Sequence, residues 1–159
     1  MGIQRTKGFE GVKMNLDTYN LISDSDQEVF KFESIGSKGM IQKLVLFKET
    51  SFSGIYNLGF GDIDPETGNI DDKVVSDNGD GEIVLSTVVS TIHKFFDKHP
   101  NAQVYLSGST KSRTRLYRIA INKYFELFSL KFDIMGELET HFERFIKNTE
   151  YQGYLIKLK

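Results

Sequence analysis

The spacing of apolar residues predicts strands in the first part of the chain and helices later. Residues 28–35 alternate around Phe30 and Phe32, the period-two signature of a strand. Residues 36–39 (GSKG) read as a turn. Residues 40–48 carry Ile41, Leu44, Val45, Leu46 and Phe47 and predict its hairpin partner. Residues 54–62 (GIYNLGFGD) predict a third strand, with Ile55, Leu58 and Phe60 apolar. Asp64, Pro65, Glu66, Thr67, Gly68 and Asn69 form a turn by residue type, and residues 70–76 predict a short edge strand.

The period then changes. Residues 83–98 place apolar side chains at 84, 85, 88, 89, 92, 95 and 96, which is helical spacing. Asp77, Asn78, Gly79 and Asp80 precede this helix as N-cap candidates, and Pro100 follows it. Residues 102–107 predict a strand and residues 110–129 a second helix. Residues 130–138 predict a strand interrupted by Gly136. Residues 139–147, with Phe142, Phe145 and Ile146, predict a short helix. Residues 151–159 predict a closing strand through Tyr154, Ile156 and Leu158. This order predicts an α+β fold: a mixed, mostly antiparallel sheet with two main helices packed on one face.

Residues 1–13 are polar and without periodicity, so a disordered N-terminal extension is expected there. Met14 opens MNLDTYNLI, which reads as a more natural start. Residues 14–159 are expected to form a single α+β domain.

Composition narrows the function classes. With 159 residues, 39% of them hydrophobic, the chain has material for a real core. A net charge of −2 gives no global attraction to nucleic acid or anionic membrane, so any such role needs a local patch. The absence of cysteine excludes disulfides and thiolate metal sites and fits a reducing compartment. No apolar run reaches membrane-spanning length, and the start lacks the apolar core of a secretory signal. The expected location is cytoplasmic, with no membrane partner.

The chemistry concentrates in residues 102–118. The apolar run Val104, Tyr105, Leu106 ends in Ser107, Gly108, Ser109 and Thr110, and a basic helix follows at once. A helix N-terminus offers free backbone N–H groups that attract anions. At 100° per residue, Leu116, Tyr117, Ala120, Ile121, Tyr124, Leu127 and Phe128 share a core arc. Lys111, Arg115, Arg118 and Asn122 share the opposite side. Arg113 projects in the middle of the core arc, where a guanidinium must be paired or reach a cleft. Four cations and no acid in the first two turns oppose the macrodipole by about 0.3–1 kcal/mol each when exposed. Three explanations stay open: a bound phosphate or carboxylate, an acidic segment of the chain itself, or an ordinary Ser-Thr cap with a solvated basic face. The segment is not a Walker loop, which needs GxxxxGK[ST].

A second feature is acidic. Asp62, Asp64, Glu66, Asp71, Asp72, Asp77, Asp80 and Glu82 lie within 21 residues. The EF-hand spacing fails, and turn-forming residues explain such loops more simply, so no metal is expected. His93, His99 and His141 lack metal-ligand spacing, and there is no GxSxG elbow. The residues call for no cofactor.

The elements MNLDTYNL, GIYNLGFGD, DDKVVSDNGD, VVSTI and GSTKSRTRLYR resemble those of a family of small uncharacterised bacterial proteins, mainly from Bacteroidetes. It is a domain-of-unknown-function family. The resemblance covers residues 14–159 and implies a stand-alone bacterial protein; it carries no activity to transfer. Three functions are open. The first is a binding module for a phosphate-bearing small molecule or nucleic acid, with Ser109, Thr110, Lys111, Arg113, Arg115 and Arg118 as donors and Asp77 and Asn78 as partners. The second is a small nuclease or phosphoryl-transfer enzyme drawing its acid–base group from Asp77 or Asp80. The third is a protein-interaction component of toxin–antitoxin or defence type. The first accounts for the most residues.

Overall fold

The computed structural model describes residues 5–7, 17–71, 77–108 and 110–159. Strands β1 (Arg5–Lys7) and β2 (Asp17–Tyr19) pair antiparallel as a two-stranded sheet. Then come β3 (Ile22–Ser23), β4 (Val29–Gly36), β5 (Gly39–Glu49), β6 (Ile55–Asp62), helix α1 (Gly81–Lys98), β7 (Gln103–Leu106), helix α2 (Lys111–Lys131), β8 (Phe132–Glu137), β9 (Phe142–Arg144) and β10 (Gly153–Leu158). The larger sheet has eight strands in the order β3-β4-β5-β6-β7-β10-β8-β9. Pair β6–β7 is parallel, whereas β3–β4, β4–β5, β7–β10, β10–β8 and β8–β9 are antiparallel. The fold is therefore α+β, with a mixed, mostly antiparallel sheet. The chain divides into two compact units: Met1–Leu46 with Gly59–Lys98, and Phe47–Leu58 with His99–Lys159.

In the first unit the β4–β5 hairpin closes through Ser37 and Lys38, with Gly36 opposite Gly39. Ser37 and Lys38 keep negative φ, and Gly39, just past them, takes φ = 87°, a left-handed conformation that glycine adopts freely. Phe30 and Phe32 are buried at alternate positions of β4, and Phe60 is buried in β6; Leu44 and Val45 are consecutive and both buried, so β5 is covered on both faces there. Helix α1 buries all seven apolar positions of its stripe and also Ser86, Thr87, Ser90 and Thr91. Its hydroxyl side meets β2: Ser86 Oγ donates to the Asp17 carbonyl at 2.6 Å, and Thr87 Oγ1 accepts the Tyr19 N–H at 2.9 Å.

In the second unit β10 lies between β7 and β8. One face of these strands carries Val104, Leu106, Phe132, Ile134, Tyr154 and Ile156, all buried, and α2 runs along β8. The opposite face bears Gln103, Tyr105, Met135, Glu137 and Leu155, all half-buried. There Tyr105 and Glu137 reach over the intervening β10 and hydrogen-bond to each other. A Cβ at Gly153 would stand 2.9 Å from both the Tyr105 hydroxyl and Glu137 Oε1, so only glycine leaves that bond room.

The structure corrects two readings of the sequence. Residues 139–147 are not a helix: Phe142–Arg144 form β9, paired with β8, and Ile146 is 59% exposed. The three apolar residues that suggested a helix do not share a buried face; Phe145 alone among them is buried. Helix α2 also continues to Lys131, so β8 starts at Phe132 rather than 130. The expected strand at 70–76 is represented by a single bridge, Ile63 to Ile70, and residues 72–76 lie outside the described residues. Of the leader, Arg5–Lys7 form β1. Strands β2 and β3 were not anticipated, since two or three residues are too few for a period to show.

Candidate functional site

Helix α2 begins where the sequence places it. Thr110 is its N-cap, with extended φ and ψ of −130° and 161°, and its side chain accepts the Arg113 N–H at 3.3 Å. A β-hydroxyl is suited to that role, because it replaces one bond the first turn lacks. Gly108 packs against the same turn. A Cβ there would overlap the backbone nitrogen of Thr114 and lie 2.6 Å from Arg113 Cβ. Thr114 Oγ1 reaches the carbonyls of Thr110 at 3.2 Å and Gly108 at 3.4 Å, which fixes the turn against the helix. Ser109 lies outside the described residues.

The helix phase follows the reading at 100° per residue, with Leu116 and Leu127 half-buried at the margins of the core arc. Arg113, Tyr117, Ala120, Ile121, Tyr124 and Phe128 are buried. Lys111 and Arg115 are exposed, and Arg118 and Asn122 are half-buried. Residues 111, 115, 118 and 122 therefore form one basic-to-polar ridge along the outer side of α2. The first turn holds no acid. Arg113 is the exception to the ridge: it is 5% exposed, inside the core arc.

Below its midpoint the ridge meets residues 147–150. Arg118 Nη1 lies 3.4 Å from Glu150 Oε1. Asn122 Oδ1 accepts the Asn148 N–H at 2.8 Å, and Asn122 Nδ2 donates to the Arg118 carbonyl at 2.8 Å. Lys147 Nζ donates to Glu126 Oε1 at 3.2 Å. Backbone hydrogen bonding first, and Lys147 second, hold the Glu126 carboxyl below its usual range. Arg118, Asn122 and Glu126 are four residues apart and so share one helix face, and the loop runs past them in reverse order. Asn148 sits at φ = 64°, a left-handed conformation that asparagine tolerates better than most residues.

Between α2 and this loop lies a cleft of about 490 Å³ lined by Arg118, Ile119, Asn122, Asn148, Thr149 and Glu150. It combines a guanidinium, a carboxylate, two amides and one aliphatic wall. The hydroxyl of Tyr154, wholly buried, has no hydrogen-bond partner among the described residues. Burial pushes its phenol up to about 12; the Arg118 charge works against that shift, and Tyr151 and Glu150 add to it. Nearby, burial and then a hydrogen bond to Glu143 raise the Tyr151 phenol, whose hydroxyl also accepts the Ile146 N–H at 3.0 Å.

The remaining sequence candidates lie in the first unit. Asp77 is exposed, and its Oδ1 accepts the Gly79 N–H at 3.1 Å in a local turn. Asn78 is buried and fully engaged: Oδ1 accepts the Lys38 N–H at 2.6 Å, and Nδ2 donates to Ser34 Oγ and the Gly39 carbonyl. Asp80 Oδ2 accepts the hydroxyls of Tyr19 and Ser34, each at 2.6 Å. Asn78 and Asp80 anchor the start of α1 to the β4–β5 hairpin. Asp62, from the acidic stretch, is paired with Lys43. Sequence reading missed the far wall of the cleft, at Asn148, Thr149 and Glu150, and the buried hydroxyl of Tyr154. The available signal was weak: an asparagine, at 148, in a position suited to a left-handed turn.

A family model described as a family of unknown function (DUF6934) matches residues 15–159. No curated protein and no solved structure matches the chain.

Proposed function

We propose, from the premise that the chain belongs to this family of unknown function and must be read from its own site, that it is a binding module for an anionic, phosphate-bearing ligand. The ligand engages the basic ridge of α2. One observation carries the reading: Lys111, Arg115 and Arg118 project from the same outer side of the first two turns, with no acid in the first turn. Those cations oppose the helix macrodipole, and an anion there relieves the conflict. The capped N-terminus and arginine forks supply directed donors as well as charge.

The enzyme reading has less support, because the two carboxylates it would use are engaged elsewhere. Asp77 closes a local turn, and Asp80 accepts two hydroxyls. The bacterial, cytoplasmic setting rests on the family resemblance and on the cysteine-free composition.

The test is a thermal-shift screen against inorganic phosphate, sulfate, mononucleotides, dinucleotides and short RNA and DNA. A ligand at ~100 times its dissociation constant adds about 2.7 kcal/mol. That corresponds to a rise of roughly 5–10 °C in a domain of this size. The reading requires a rise that disappears in Arg115→Ala. A well-folded protein with no response to any of these ligands would contradict it and favour a protein partner.

A further inference from the structure

We draw no further inference here: the strongest candidate, the outer edge of β9 at the end of the larger sheet, with Phe142 and Ile146 exposed beside it, carries nothing because nothing in the structure shows what covers it.

Discussion

The amide oxygen of Asn122 accepts the backbone N–H of Asn148 at 2.8 Å while its amide nitrogen donates to the carbonyl of Arg118. One side chain thus joins the helical turn that carries the arginine to the loop that carries its carboxylate partner. Truncation to Asn122→Ala leaves the Asn148 N–H without this acceptor. The expected cost is about 1–2 kcal/mol, measured by denaturant unfolding. Asn148→Gly is expected to be close to neutral, because glycine adopts φ = 64° freely. Asn148→Val should destabilise at least as much as Asn122→Ala, because a β-branched residue resists that conformation.

Arg113 and Lys111 are two residues apart and face different surroundings. Arg113 is 5% exposed within the core arc, and Lys111 is exposed. Arg113→Ala is expected to cost on the order of 3 kcal/mol, as loss of a buried charged side chain does. Lys111→Ala should stay within about 0.5 kcal/mol. Equal stabilities for the two variants in urea titrations would contradict the phase assigned to α2.

Gly108 is required by contact. Any Cβ would overlap the Thr114 backbone nitrogen, and backbone inside a helix cannot move aside cheaply. Gly108→Ala is therefore expected to destabilise by roughly 1–3 kcal/mol. It should also reduce amide-exchange protection at the start of α2. Protection unchanged from wild type would show that the turn approaches the helix less closely than described.

Alkaline pH provides a fourth check. The Tyr154 phenol ionises near the ordinary phenol value of 10.0 in the unfolded chain and at about 12 in the fold. Between those values the unfolded chain releases a proton that the folded chain keeps. Stability from this group is therefore complete below pH 10 and is lost as pH rises toward 12. Burial raises the Tyr105 and Tyr151 phenols as well, so all three contributions have the same sign. Unfolding free energies of wild type and Tyr154→Phe, compared from pH 8 upward, should diverge from about pH 10, with wild type falling more steeply. Parallel curves would contradict the burial of this phenol.

The two helices were legible because each repeats a helical period over four or more turns. All seven apolar positions of α1 are buried, and Arg113 is buried where its phase placed it. The β4–β5 hairpin was legible through alternation and a glycine-bounded turn. Residues 139–147 misled because Phe142, Phe145 and Ile146 are spaced as on a helix, yet cross-strand pairing with β8 decides their conformation. That pairing depends on residues distant in sequence, which a local period does not register. The near wall of the cleft, Arg118 and Asn122, was visible as a polar helix side. Its far wall was not, because Glu150 and Asn148 reach α2 only through the fold. Tyr154 reads as a core residue in sequence; its lack of a partner appears only when its surroundings are known.

The most direct test of anion binding on α2 is an amide chemical-shift titration of the full chain with adenosine monophosphate, followed residue by residue. Saturable shifts grouped at residues 110–122, reversed by raising salt and lost in Arg118→Ala, are the expected result. Saturable shifts confined to other parts of the chain, or none at millimolar ligand, would contradict it.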